Sequence, residues 1–307
     1  MENNIIGVTA KSFLSNKTLV AELKKTFPDF QILTNGSDQE ILDQSRYALV
    51  GRELINSHTL PPKLKTIIKY GVGLDNIDLD YCSKSNVSVY YAPGVNREEV
   101  VEQALGFMIG LSRNLYRANS EMHKGEWIKD GGRSLSELTV GIIGAGNIGG
   151  KLAEILSTTL RPKLMICDIV DKSPLAQNWN ARLASLEECL AFCDIITFHV
   201  PLTPQTINLV SDHHLTMMKP GLILINTSRG EVISETALIR GLEQKIIAGA
   251  ALDVFHEEPL AKDSKLRSFE QVILSPHTSG NSHAAVLKMG RAAIELLKSA
   301  IQSSREF

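Results

Sequence analysis

The chain has 307 residues, 43% of them hydrophobic, which is enough to bury a large core and to divide into two domains. Its 32 basic residues stand against 34 acidic ones, so no strong field recommends a nucleic-acid or membrane surface, and a small-molecule partner is expected. No cationic start precedes the first strand and no apolar run approaches ~18 residues, so neither export nor membrane insertion is expected; Cys82, Cys167, Cys189 and Cys193 form no metal set and fit a reduced, cytoplasmic chain.

Short apolar strands are predicted near 5–9, 30–33, 47–51, 66–70 and 87–91, alternating with helical patterns, which calls for a first parallel sheet. Lys11, Arg52 and Lys69 lie near the ends of three of these strands, on the edge where parallel sheets present ligand-contacting loops. Scattered surface charge and recognition of a phosphate or second acid are both open readings for them. After the fourth strand, the turn Gly71-Val72-Gly73 suits close approach of the Val72 and Gly73 N–H groups to a carboxylate.

From Arg97 to about Ser120, the apolar residues Val100, Val101, Ala104, Leu105, Met108, Ile109 and Leu111 recur at helical spacing and predict one long connecting helix. A second series of strands follows near 139–143, 163–167, 194–199, 222–226, 247–252 and 272–274. The last helical pattern runs from Ser282 to Ser299, and it leaves no room for a further regulatory domain. The fold expected is α/β, with two Rossmann-like or flavodoxin-like doubly wound parallel sheets and a cleft between them.

The chemistry begins at Thr139-Val140-Gly141-Ile142-Ile143, an apolar strand that runs into Gly144-Ala145-Gly146-Asn147-Ile148-Gly149 and then an amphipathic stretch. Gly144 permits a tight turn, Gly146 lets the backbone approach a pyrophosphate, and Gly149 brings helix and strand together, while the helix N-terminus offers N–H groups to the anion. Asp168 ends the next strand, 19 residues past Gly149. An acid there accepts hydrogen bonds from the adenosine ribose and repels a 2′-phosphate, so NAD is expected over NADP. Three later segments carry a cation, acids and an imidazole: Ser228-Arg229-Gly230, Leu252-Asp253-Val254-Phe255-His256-Glu257-Glu258-Pro259 and Ser275-Pro276-His277.

With Gly71-Val72-Gly73-Leu74-Asp75-Asn76-Ile77-Asp78, Ala92-Pro93-Gly94-Val95-Asn96, His199-Val200-Pro201-Leu202-Thr203 and Ile225-Asn226-Thr227-Ser228-Arg229-Gly230 in this order, the chain resembles the NAD-dependent D-2-hydroxyacid dehydrogenases, especially their short phosphoglycerate dehydrogenase-like members. The resemblance implies a cofactor domain, 99–281, inserted into a substrate domain made of 1–98 and 282–307, and a homodimer built on the cofactor domains. The implied cofactor contacts are Gly144, Gly146, Asn147, Ile148, Gly149, Asp168, Val200, Pro201, Thr227, Ser228, Asp253 and Gly280, with Asp253 on the nicotinamide carboxamide. Val72, Gly73, Asn96 and Arg229 are the substrate contacts.

Moving a hydride requires a group to handle the hydroxyl proton, and a histidine does this near neutral pH without a metal, so His277 is the expected acid–base residue. The resemblance gives Glu258 the role of its carboxylate partner, with Glu257 as the adjacent decoy. Arg229 offers a planar, permanently charged fork to the substrate carboxylate and 2-oxo group. His199 ends a strand beside Pro201, where lining the cofactor pocket and packing are both open, and His213-His214 does not suggest a metal. Tyr91 stands where relatives often have Asn, Gly51 where phosphoglycerate-specific members carry Arg, and Arg161-Pro162 replaces a Gly-containing turn. The expected activity interconverts a D-2-hydroxy acid and its 2-oxo acid, with 3-phosphoglycerate, lactate-like and glyoxylate-like substrates open. A dinucleotide-sensing corepressor-like protein is the alternative.

Overall fold

The computed structural model describes residues 4–303; Glu2 and Asn3, which enter the export reading, and the last four residues of the 282–307 segment lie outside them. The chain divides into two compact units, Met1–Asn96 with Asn281–Phe307, and Arg97–Gly280.

The first unit holds five parallel strands, β1 (Ile5–Val8), β2 (Gln31–Leu33), β3 (Tyr47–Val50), β4 (Thr66–Lys69) and β5 (Ser88–Tyr90), in the order β2-β1-β3-β4-β5. This is a doubly wound, flavodoxin-like order. Strands β1, β3 and β4 are buried along their whole length, which is why β1 and β3 read as continuous apolar runs and not as alternating ones, while β4 encloses Ile67-Ile68 between the buried polar ends Thr66 and Lys69. The final helix, His283–Ser303, joins this core: Ala285, Met289, Ala293 and Leu297 pack with Leu19, Leu23 and Ile68. A Cβ on Gly290 would stand 2.3 Å from Leu19 Cδ1, so that glycine sets how closely the final helix meets the helix Lys17–Thr26.

The second unit is a seven-stranded parallel sheet of β6 (Thr139–Ile143), β7 (Lys163–Cys167), β8 (Ala181–Leu183), β9 (Ile195–Phe198), β10 (Leu222–Asn226), β11 (Ile247–Leu252) and β12 (Val272–Leu274), ordered β12-β11-β10-β9-β6-β7-β8. Strand β6 sits between β7 and β9, so the chain reverses its winding direction there, and the crevice outside the carboxyl ends of these strands is the ligand position of such sheets.

Two elements differ from the sequence expectation. Strand β8 was not anticipated: its three residues lie on the sheet edge with Arg182 and Leu183 exposed, so neither length nor apolar pattern marks it. The connecting helix is interrupted, running Arg97–Ser112 and then Leu115–His123, because Asn114 takes a left-handed φ of 53°. Asparagine tolerates that conformation better than most residues. The apolar spacing holds through the first helix, whereas the second buries none of its residues.

Candidate active site

The glycine turn lies over the point where the sheet reverses. Gly144 N–H donates to Cys167 O of β7, and His199 N–H donates to Ile143 O of β6, so three strand ends are tied together. Gly144 has φ of 88°, and a Cβ there would stand 2.7 Å from His199 O; a Cβ on Gly149 would stand 2.0 Å from Gly144 O. These two glycines are required by the protein's own backbone. Gly146 is different, being exposed with nothing within 4 Å of where a Cβ would sit, so the room above it fits an incoming pyrophosphate. Asn147 starts the helix Asn147–Thr158 and is exposed beside it, with Ile148 half-buried.

Asp168 follows β7 and is half-buried. Its Oδ2 accepts the Ala145 N–H at 2.7 Å and its Oδ1 the Val170 N–H at 2.8 Å, with Lys172 Nζ 3.8 Å from Oδ2. The acid is therefore anchored to the glycine turn at the end of the strand next to it, where a ribose fits. Val200 is half-buried and Pro201 exposed after β9.

Arg229 follows β10, Glu258 follows β11 and His277 follows β12, three adjacent strands that deliver their ends to one edge of the sheet. His277 Nδ1 lies 2.8 Å from Glu258 Oε2 and 3.1 Å from Oε1. A carboxylate only accepts, so Nδ1 carries the hydrogen and proton exchange with a ligand falls to Nε2. Glu258 is mostly covered and its Oε1 also accepts the Phe255 N–H at 3.1 Å, whereas Glu257 is exposed. His256 turns the other way, donating from Nε2 to Ile233 O at 2.9 Å.

The loop carrying Arg229 is held by a residue that sequence reasoning passed over. Asn226 is buried at the end of β10; its Oδ1 accepts the Ser228 N–H at 3.0 Å and the Ser228 hydroxyl at 2.8 Å, and its Nδ2 donates to Arg229 O at 2.8 Å. A polar residue closing the apolar run Leu222-Ile223-Leu224-Ile225 was the available signal. Arg229 Nη1 donates to Ser228 O at 2.7 Å. A Cβ on Gly230 would fall 2.1 Å from the Phe255 carbonyl carbon, so Gly230 lets the arginine loop lie directly against the backbone of the acidic loop. The Ser228 hydroxyl is thus used within its own loop, while Thr227 Oγ1 is buried with no partner among the described residues. Asp253 is fully buried and takes its hydrogen bonds from the loop that carries His277; Gly280, at the far end of that loop, is half-buried.

His199 is held between strand ends, its Nε2 2.9 Å from Thr197 Oγ1 and its Nδ1 buried with no partner among the described residues. Burial pushes its pKa down to about 3. The folded protein thus keeps this ring neutral while the unfolded chain takes up a proton below about pH 6.5, so stability is full above that pH and falls as acid is added. At pH 5 the loss from this one group is expected to be roughly 1–2 kcal/mol relative to pH 7.5, allowing for the part of the residue that reaches solvent. Urea midpoints at the two pH values, compared with those of His199→Gln, check this: the variant should lose that part of the acid sensitivity, and an equal pH dependence in both proteins would contradict it.

The remaining candidates belong to the first unit. Val72 and Gly73 are half-buried after β4, next to Gly71 with φ of 105°, and Asn96 is buried with no partner for Oδ1 among the described residues. Lys69, open to two readings from sequence, is 7% exposed and donates to Gly51 O and, at 2.6 Å, to Asn76 Oδ1. Its ammonium knits the ends of β3 and β4 together. Lys11 and Arg52 are exposed.

Residues 105–279 match the family model described as the D-isomer specific 2-hydroxyacid dehydrogenase NAD binding domain. The chain belongs to the D-isomer specific 2-hydroxyacid dehydrogenase family. Its members are NAD-dependent oxidoreductases acting on CH–OH donors, and the glycine turn and Asp168 described above fall within the matched NAD-binding domain. Over 235 residues it is 37% identical to a D-3-phosphoglycerate dehydrogenase of Haemophilus influenzae, a match covering 75% of this chain and 57% of that relative. A glyoxylate reductase of Thermococcus litoralis is 35% identical over 245 residues, covering 77% of this chain and 72% of that one. Among solved structures, the D-lactate dehydrogenase of Aquifex aeolicus, complexed with NAD and lactic acid, superposes with a TM-score of 0.87 at 26% identity, covering 99% of this chain and 97% of that chain. Among the described residues no helix is long and apolar enough to cross a membrane, and no group of three or more His, Cys, Asp or Glu residues is arranged to hold a metal ion.

Proposed function

We propose that the chain reduces a small 2-oxo acid to its 2-hydroxy acid, the D isomer where C2 is a stereocentre, with glyoxylate and hydroxypyruvate as the leading substrate class. The observation that carries this reading is the Glu258–His277 pair, 2.8 Å apart at the ends of neighbouring strands on a nucleotide-binding sheet. Bound NADH supplies the hydride to C2. His277 Nε2–H gives the proton to the carbonyl oxygen, Glu258 holds the imidazole through Nδ1, and Arg229 binds the carboxylate and polarises the carbonyl. The overall balance is 2-oxo acid, NADH and a proton to 2-hydroxy acid and NAD. Gly146, Asn147 and Ile148 would hold the pyrophosphate and Asp168 the ribose, with Val200, Pro201, Thr227, Ser228 and Gly280 along the rest of the cofactor. For Val72, Gly73 and Asn96 the substrate-contact reading rests on the resemblance alone.

Lys69 favours a small substrate. Its charge is used inside the fold, and Gly51 supplies no cation, which leaves fewer groups near the ends of β3 and β4 for a second acid. The similarity to a D-3-phosphoglycerate dehydrogenase and the exposed Arg52 favour 3-phosphohydroxypyruvate as the second reading. NADH consumption at neutral pH across glyoxylate, hydroxypyruvate, pyruvate and 3-phosphohydroxypyruvate separates them. The proposal expects the highest kcat/KM among the unphosphorylated acids. Preference for the phosphorylated one, lost in Arg52→Ala, would transfer the assignment to it. No rate with any acid, despite tight NADH binding, would favour a dinucleotide sensor.

A homodimer is supported by apolar residues left exposed between 115 and 128: Leu115 at 53%, Met122 at 53% and Trp127 at 76%. A reducing, cytoplasmic setting is supported by four free cysteines, among which burial pushes the Cys167 thiol up to about 11.

A further inference from the structure

The segment that follows β7 places a lysine beside Asp168. Lys172 is mostly covered, its side chain keeping 17% of its surface in solvent, and its Nζ stands 3.8 Å from Asp168 Oδ2. That distance is beyond hydrogen-bond range, and among the described residues the ammonium has no hydrogen-bond acceptor. The carboxylate does not close on it because each oxygen is already turned to backbone, Oδ2 to the Ala145 N–H at 2.7 Å and Oδ1 to the Val170 N–H at 2.8 Å. One acceptor position is left on each oxygen. The backbone around the lysine is pinned on both sides: Ala176 N–H donates to Lys172 O at 2.8 Å, and Asp171 Oδ1 accepts the Ser173 N–H at 2.9 Å.

An acceptor and a donor therefore stand side by side, each with capacity to spare, in the strand-end loop next to the glycine turn. A covered ammonium without an acceptor is costly unless a ligand or water satisfies it. The pair is complementary to a hydroxyl, which donates through its hydrogen and accepts through its oxygen. In sheets of this kind the acid after the second strand meets the adenosine ribose at its 2′-hydroxyl. We infer that Lys172 is a cofactor-binding residue that shares this 2′-hydroxyl with Asp168: the hydroxyl donates its hydrogen to the carboxylate and accepts from the ammonium. This rests on Asp168 being the ribose acid proposed above. Loss of the hydroxyl then leaves two covered groups unsatisfied instead of one, so the site selects its dinucleotide by a hydrogen-bonding match as well as by charge.

Lys172→Met keeps the length of the stem and removes the charge, which separates the ammonium from the ordinary use of a lysine stem as cover for apolar surface. Fluorescence titration with NADH should give a Kd about tenfold higher in Lys172→Met, the scale of one hydrogen bond to a charged group. Lys172→Arg keeps charge and donors and should stay within about threefold of wild type. The hydroxyl itself is tested by repeating the titrations with the adenosine 2′-deoxy analogue of NADH. Wild type should bind the analogue about 30-fold more weakly than NADH and Lys172→Met only about threefold more weakly, the ratio being the coupling between lysine and hydroxyl. Equal 2′-deoxy penalties in the two proteins would overturn the inference, as would an NADH Kd in Lys172→Met within about twofold of wild type. NADPH binding that falls in Lys172→Met by a larger factor than NADH binding would make the ammonium a phosphate contact and overturn it too. A wild type indifferent to the 2′-hydroxyl would remove the ribose role of Asp168 along with that of Lys172, whereas failure to reduce any 2-oxo acid would leave these Kd values standing.

Discussion

His277→Ala is expected to lower kcat for 2-oxo acid reduction by roughly 10³-fold while leaving the Kd for NADH within about twofold, general acid catalysis by a positioned side chain being worth 10²–10⁴. The hydride acceptor becomes an alkoxide unless a proton arrives with the hydride, and in the proposed reaction Nε2 of this ring is the donor, its Nδ1 being held by Glu258. Water replaces it only at the cost of an unoriented proton source. The glycine turn and Asp168, the proposed nucleotide contacts, follow other strands, so binding should survive the change. Stopped-flow NADH oxidation and fluorescence titration measure the two quantities separately. A variant retaining more than a tenth of the wild-type kcat would mean that another group supplies the proton.

The glycine turn gives the second large effect, and it is a contrast. Gly149→Ala places a methyl group 2.0 Å from Gly144 O and 3.0 Å from Ile142 Cγ2, a collision with backbone that only movement of the helix relieves. Overpacking of this kind costs about 1–3 kcal/mol or more, and it also swings the helix N-terminus off its target, so NADH affinity should fall at least ~100-fold together with a lower melting temperature. Gly146→Ala meets nothing within 4 Å and should melt within a degree or two of wild type. Its methyl group would occupy the space proposed for the pyrophosphate, so NADH affinity should still fall about tenfold or more. Calorimetry and fluorescence titration on the two variants check the pair. Unchanged NADH affinity in Gly146→Ala would remove the turn from the cofactor site.

Most of the architecture was legible because parallel sheets bury both faces of their central strands, and runs such as Ile195-Ile196-Thr197-Phe198 stand out for that reason. What was missed lacks that signal. Strand β8 is an edge strand of three residues whose pairing comes from β7 and not from its own composition. The break at Asn114 depends on one backbone angle, which apolar spacing does not report. Lys69 was legible as a cation at a strand end, but its burial under Gly51 O and Asn76 is a tertiary fact. In the site, Arg229, Glu258 and His277 were readable as chemistry-bearing side chains after strands. Asn226 was not singled out, because a residue that holds a loop acts through hydrogen bonds to backbone partners that only the fold supplies.

The central claim is that this chain delivers a hydride and a proton to one face of a 2-oxo acid. Wild-type protein should be given NADH carrying deuterium at both C4 positions and its best 2-oxo acid, pyruvate or hydroxypyruvate where glyoxylate would leave C2 ambiguous, and the product analysed by mass spectrometry and chiral chromatography. The account predicts one deuterium at C2 of the D-2-hydroxy acid for each NADH consumed. An L-configured product, or NADH oxidised with no deuterium at C2, would contradict it.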